Sequence, residues 1–141
     1  ESVFENLHDV AGVRVICSFI DDIYDVAEMF LSQDDITLIE KKDYIQNPKS
    51  NGYRSLHLII EVPVFLSDRT LNMKVEVQIR TMAMDFWAAL ANYKKGIDGI
   101  DSLVVELTDC ANIINQTDRR MQEIYHKIQK VKGSRIVVNG K

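Results

Sequence analysis

From Leu103 to Val131 the chain repeats apolar or small side chains at alternating intervals of four and three: Leu103, Leu107, Cys110, Ile114, Thr117, Met121, Ile124, Ile128 and Val131. Only one long helix keeps such a stripe on a single face. That helix needs a body to lie on, and in a chain of 141 residues there is room for one domain with one core. The stripe either packs on a sheet or a neighbouring helix, or meets another copy of the chain. The tail from Lys132 is polar and is expected to fray.

The remaining segments alternate between strand and helix patterns. Residues 12–20, GVRVICSFI, are β-branched and apolar and read as a largely buried strand. Asp21 and Asp22 are candidate caps for a helix running to about Gln33, with Ile23, Val26, Ala27, Phe30 and Leu31 on its inner face. A second strand is expected over 36–44, a loop over 45–52 where Asn47-Pro48 and Asn51-Gly52 mark turns, and strands over 54–62 and 72–80. Pro63 is expected to end the first of these two. A helix over 82–95 follows. The order predicts an α+β fold: a mixed β-sheet flanked by helices, with a possible parallel pair at the β-α-β start and an antiparallel hairpin later.

Composition narrows the function classes. The net charge of −4 lacks the basic footprint of a nucleic-acid binder, so RNA binding has no support from charge. It leaves room for a local basic pocket for a phosphorylated ligand. No apolar run approaches the roughly 20 residues of a membrane span. Cys17 and Cys110 sit in apolar patterns and read as two buried thiols rather than a disulfide, which fits a reducing cytoplasm. No phosphate loop of the G-x-x-x-x-G-K-[ST] type, no G-x-G-x-x-G and no nucleophile elbow is present. The opening ESVFENLHD reads as the end of an element, with residues expected upstream.

The stretch KVEVQIRT is the most informative for chemistry. By the period-two rule Val75, Val77 and Ile79 face one way and Glu76, Gln78 and Arg80 the other. The polar side is either a solvated outer face or the floor of a cleft. Asp9 precedes the first strand as a cap or, with Glu76 on a neighbouring strand, as a Mg²⁺ ligand. Arg14 lies within an apolar strand, as an edge residue or as a cation stacking on a base. In the loop PKSNGYRSLH, Tyr53 offers a flat face, and Lys49, Arg54 and His57 offer positive or donor groups; a hairpin loop with a packed tyrosine is the plainer reading. No Cys or His cluster accompanies His57, so it is no metal site. Asp85 opens the next helix as a first-turn acid or as an acceptor for the two N–H groups on the guanine edge. Trp87 reads as core rather than platform.

HDVAGVRV, KDYIQNPKSNGYRSLH, VEVQIRT and AMDFWA, in this order and spacing, resemble the synthetase domain of RelA/SpoT homologues, and most of all the small alarmone synthetases. The likeness is strong over residues 1–95 and looser along the long helix. It implies a nucleotidyltransferase-like synthetase domain of a bacterial, cytoplasmic GTP pyrophosphokinase of the stringent response. Such an enzyme transfers the β,γ-pyrophosphate of ATP to the 3′-hydroxyl of GDP or GTP, with Mg²⁺ as cofactor, and assembles as a homotetramer through helices. By resemblance Asp9 holds the metal, and Glu76 helps to hold it and activates the acceptor hydroxyl. Arg14 is one of two arginines that sandwich adenine, Tyr53 stacks on guanine, and Asp85 contacts the guanine edge. Lys49, Asn51 and His57 lie in the loop around the guanine nucleotide. Arg54, Gln78 and Arg80 are supporting residues.

The chain departs from the family pattern in two respects. An upstream stretch bearing arginine and lysine, which completes the ATP site in the family, is missing. The single domain over 1–141 is therefore expected to lack its N-terminal ATP-binding portion. WAALANYKKG also lacks the Glu-His pair that usually follows the tryptophan. A catalytically inactive guanine-nucleotide sensor or interaction module is the alternative that the missing upstream arginine favours.

Overall fold

The computed structural model describes residues 11–94 and 97–139, with side chains as far as residue 134. Asp9 lies outside the described residues. Four strands and three helices follow one another: β1 Ala11–Cys17, α1 Ile20–Leu31, β2 Thr37–Asp43, β3 Leu56–Phe65, β4 Thr70–Thr81, α2 Met82–Tyr93 and α3 Asp101–Asn139. The sheet order is β1-β4-β3-β2.

β3 and β4 form the expected antiparallel hairpin, and β2 pairs antiparallel with β3. The parallel pair is β1 with β4, in register Gly12↔Glu76 and Arg14↔Gln78. The β-α-β start therefore does not make β1 and β2 neighbours; α1 carries the chain from one edge of the sheet to the other. This crossover brings the first strand beside the one that bears Glu76. Pro63 does not end β3, which runs on to Phe65 with Pro63 opposite Asn72. β2 covers β3 only as far as Glu61, so at Pro63 one side of the strand is open and a residue without an N–H is tolerated.

One face of the sheet is apolar. Leu56, Leu58, Ile60, Val77 and Ile79 are buried there with Ile23 and Ala27 of α1. Removing such side chains from water contributes roughly 1.5–3 kcal/mol each, enough to hold α1 on the sheet. Phe19, not an aspartate, is the N-cap of α1 and gives no side-chain cap; Asp21 and Asp22 fall in the first turn, where the helix dipole favours them. Thr81 caps α2, its Oγ1 accepting the Met84 N–H at 3.2 Å.

α3 continues through the polar tail to Asn139. Its buried face is offset from the predicted stripe. Ala111 and Gln122 are buried, while Leu103, Met121, Ile124, Ile128 and Val131 are about half exposed. The ties to the body are largely polar and aromatic. Thr81 Oγ1 donates to Asp118 Oδ2 at 2.7 Å, Gln122 Oε1 accepts the Asp21 N–H at 2.8 Å, and Phe19 stacks on Tyr125 at 4.2 Å. Leu107 and Ile114 join Trp87, Ala88 and Ala111 in a smaller core. Cys17 is a buried thiol as expected, whereas Cys110 faces outward and is exposed; both are free. Among the described residues no helix is long and apolar enough to cross a membrane.

Candidate functional site

The other face of the sheet is polar. Alternation along β4 sends Glu76, Gln78 and Arg80 to the side opposite Val77 and Ile79. The register sets Gly12 beside Glu76, and both Arg14 and His57 beside Gln78. Gln78 Nε2 donates to Glu76 Oε1 at 3.2 Å, and Arg80 Nη2 donates to Gln78 Oε1 at 2.6 Å. A small cavity of about 170 Å³ opens over Gly12, Val13, Arg14, Glu76 and Gln78. The Glu76 side chain is half exposed there, and His57 Nδ1 lies 3.6 Å from its Oε1. The polar row is the floor of a cleft rather than a featureless solvated face.

The loop between β2 and β3 closes one end of this row. Asn51 Oδ1 accepts the Tyr53 N–H at 3.0 Å, and the Gly52 N–H reaches the Lys49 carbonyl at 2.8 Å. Gly52 has φ +96, a left-handed conformation that glycine adopts without strain. This turn presents the Tyr53 ring among basic groups. Lys49 Nζ sits 5.2 Å from its centroid and 4.8 Å from that of Tyr44, and the Arg80 guanidinium carbon is 5.3 Å from the Tyr53 ring. A cavity of about 250 Å³ is lined by Lys49, Asn51, Tyr53, Arg80, Trp87 and neighbours on α2. It offers an aromatic wall, two lysines and an arginine.

Arg80 joins this cavity to the row. It is buried, and its Nη2 donates to the Tyr53 hydroxyl at 2.7 Å while Nη1 donates to Asp85 Oδ1 at 3.0 Å. Tyr53 also meets His57 Nε2 at 2.8 Å. Burial lowers the His57 pKa, against the pull of Glu76 and with the help of Arg80, Lys49 and Lys42, so the imidazole is neutral at neutral pH.

Of the residues singled out in the sequence, Glu76, Gln78, Arg80, Arg14, Tyr53, His57, Lys49 and Asn51 gather on this one face. Asp85 is adjacent, but its Oδ1 is engaged by Arg80 and lies 3.4 Å from Arg14 Nη1, and it does not line the Tyr53 cavity. Arg54 turns away from the cleft. It is buried with Nη2 donating to the Ala111 carbonyl of α3 at 3.1 Å, Nη1 has no hydrogen-bond partner, and burial lowers its pKa. Trp87 is core, as expected: it is buried and its Nε1 donates to the Leu107 carbonyl at 2.8 Å. Sequence reading missed Asn92 and Lys94, which line the Tyr53 cavity. Asn92 lies one helical turn beyond Ala88 on the same side of α2, and Lys94 is the C-cap that follows the helix.

The polar face of a mixed sheet here joins a half-exposed carboxylate to an aromatic, lysine-bearing cavity. Residues 1–98 match the family described as the region found in RelA / SpoT proteins. The chain is 50% identical over 127 residues to the GTP pyrophosphokinase YwaC of Bacillus subtilis, a match covering 88% of this chain and 60% of that protein. Among solved structures, small alarmone synthetase 2 of Bacillus subtilis superposes with a TM-score of 0.82 at 50% identity, covering 87% of this chain and 68% of that one. Small alarmone synthetase 1 of the same organism, bound to its product pppGpp, superposes with a TM-score of 0.80 at 35% identity, covering 89% and 65%. The chain belongs to the RelA/SpoT family, and its mixed sheet with a long C-terminal helix is that of the small alarmone synthetases. It spans less than two thirds of the length of YwaC.

Proposed function

We propose that the chain is the synthetase portion of a GTP pyrophosphokinase. It transfers the β,γ-pyrophosphate of ATP to the 3′-hydroxyl of GDP or GTP, making the alarmone (p)ppGpp. The observation that carries this reading is the coupling, on one sheet face, of the half-exposed Glu76 carboxylate to the Tyr53 cavity through Gln78 and Arg80. The relatives' names, and the pppGpp bound to small alarmone synthetase 1, point the same way.

In this mechanism the guanine stacks on Tyr53, and Lys49, Asn51 and His57 hold the nucleotide beside Glu76. The 3′-oxygen attacks the β-phosphorus of ATP, its proton passes to Glu76, and the bond from the β-phosphorus to the α,β-bridging oxygen breaks as AMP leaves. Such chemistry asks the protein mainly for alignment and charge neutralisation. Arg14 supplies a cation for adenine. Asp85, held between Arg14 and Arg80, ties the adenine side of the cleft to the guanine side.

Among the described residues no group of three potential metal ligands occurs. Mg²⁺ needs no such cage, because it keeps its waters and takes substrate phosphates with one or two carboxylates. The half-exposed Glu76 carboxylate fits that demand, and the family resemblance makes Asp9 the second ligand. When bound, the ion would neutralise the phosphates and favour departure of AMP.

Exposed apolar side chains on α2 and α3, including Phe86, Leu90, Tyr93, Ile113 and Ile124, support assembly of copies through helices into a homotetramer. A strict monomer by light scattering at high concentration would contradict it. We assign the activity to the cytoplasm, where ATP and GTP are found.

The test is a transfer assay with full-length protein, Mg²⁺, labelled ATP, and GDP or GTP. Label should appear on the guanine nucleotide, and Glu76→Gln should abolish transfer while leaving guanine-nucleotide binding largely intact. Absent transfer with GDP or GTP still bound by calorimetry would replace the enzyme reading with a catalytically inactive guanine-nucleotide module.

A further inference from the structure

Gly12 lies inside β1, where a glycine weakens the strand. Three circumstances can require one there: a left-handed backbone, a neighbour that leaves no space for a Cβ, or a ligand that comes close to the main chain. The first does not hold, because the glycines with positive φ among the described residues are Gly52 and Gly99. The second does not hold either, because a Cβ built on Gly12 meets nothing within 4 Å among the described residues.

The register fixes where that Cβ would go. Gly12 pairs with Glu76 and Arg14 with Gln78, so a side chain at position 12 would share the polar face with these three. It would stand in the cavity of about 170 Å³ that Gly12, Arg14, Glu76 and Gln78 line. Gly12 is exposed there, so the floor of the cavity beside the Glu76 carboxylate is bare main chain.

We propose that the phosphate chain of the donor nucleotide crosses the sheet at Gly12, whose missing side chain leaves room for the β-phosphate beside Glu76. This rests on the reading of the cleft as a site of pyrophosphate transfer. The reacting phosphorus has to lie next to the acceptor hydroxyl, hence next to Glu76, and Gly12 is the strand neighbour of Glu76. Gly12 and Arg14 are two residues apart on one face, roughly 7 Å. A nucleotide is longer than that, so a base against Arg14 lets its phosphates reach Gly12. A side chain at position 12 would hold the phosphorus away from the sheet and out of line with the acceptor, and small misplacements of this kind are costly.

Gly12→Ala and Gly12→Val in the full-length protein test this, because the fold and the ligand make opposite demands. Alanine and valine both suit an extended strand with open space better than glycine does, so Tm should stay level or rise. The binding probe is an ATP analogue with a methylene group between the α- and β-phosphorus, the link that transfer breaks, so it is not turned over. By calorimetry with Mg²⁺, its Kd should rise about tenfold in Gly12→Ala and further in Gly12→Val. The Kd for GDP should stay within about twofold in both. In the transfer assay the KM for ATP should rise with side-chain size and the KM for GDP should not.

A Tm that falls as the side chain grows would show that the fold itself needs the glycine, and would overturn the proposal. So would equal losses for the analogue and GDP, unchanged binding of the analogue in both variants, or a parent that does not bind it. A parent that gives the expected binding pattern but transfers nothing would uphold the role of Gly12 and overturn the enzyme reading instead.

Discussion

Gly52 lies so close to Ala111 that a Cβ on the glycine would stand 2.5 Å from the Ala111 Cβ. The contact joins the turn that presents Tyr53 to the middle of α3, and Thr108 Oγ1, which donates to the Asn51 carbonyl at 3.3 Å, reinforces it. The position of the aromatic wall therefore depends on how α3 is docked.

Gly52→Ala should destabilise the protein for two reasons that act together. The residue has φ +96, where a side chain is strained, and the added methyl would meet a buried side chain on a helix. A loss of about 2–4 kcal/mol is expected. The double variant with Ala111→Gly should recover only the steric part. Urea denaturation of the two variants measures both terms, and an unchanged midpoint in Gly52→Ala would mean that the turn can relax away from α3.

Arg54 makes a separate prediction. Its guanidinium is buried with a single described hydrogen bond, to the Ala111 carbonyl, so the charge returns little of its desolvation cost. Its volume, in contrast, fills space between the sheet and α3. Arg54→Met should change stability by less than about 1 kcal/mol, whereas Arg54→Ala should cost about 2–3 kcal/mol through the cavity. Equal damage from both would show that the bond to Ala111, not the packing, holds α3 in place.

Arg54 also marks where sequence reading stops. The alternation in KVEVQIRT was enough to assign both faces of β4, and Asn51-Gly52 announced the turn, because both signals are local. In RSLH the period-two rule groups Arg54 with the buried Leu56 and Leu58 and sets His57 on the other face, but what Arg54 meets there, the Ala111 carbonyl, lies on a helix more than fifty residues away. The pairing of β1 with β4 is equally non-local, and its consequence is the adjacency of Gly12 and Glu76. The stripe on α3 was a true helical signal, yet only Leu107 and Ile114 of it pack into a core, and Leu103 and the residues from Met121 on lie half exposed. The inner face uses Asp118, Gln122 and Tyr125, whose hydrogen bonds and ring stacking leave no trace in a hydrophobic period.

Thr81 does two jobs with one oxygen. It accepts the Met84 N–H as the cap of α2 and donates its proton to Asp118 on α3. Thr81→Val keeps the shape and removes both bonds. A cap is worth about 1 kcal/mol, and a part-buried carboxylate deprived of its donor adds a similar cost, so a loss of about 2–3 kcal/mol is expected. Thr81→Ser should retain most of the stability. Thermal unfolding of the pair decides the matter, and a valine variant as stable as the serine one would mean that α2 and α3 are held by Trp87 and its neighbours alone.

His57 should leave a signature in the pH dependence of stability. Its folded pKa lies below the ordinary value of 6.5, chiefly because burial penalises the charged ring. As pH falls through that ordinary value, the unfolded chain takes up a proton that the folded chain refuses. The unfolded state then binds more protons, and stability is lost with falling pH until the folded imidazole itself titrates. Above the ordinary value both states are neutral and the penalty vanishes. His57→Gln has no such group, so its denaturation midpoint should fall less than the parent's between pH 7.5 and 5.5. The difference between the two slopes is the contribution of His57 and its pairing with Glu76. Parallel slopes would mean that the folded ring protonates as readily as a solvated one, and that its burial imposes no penalty on the charged form.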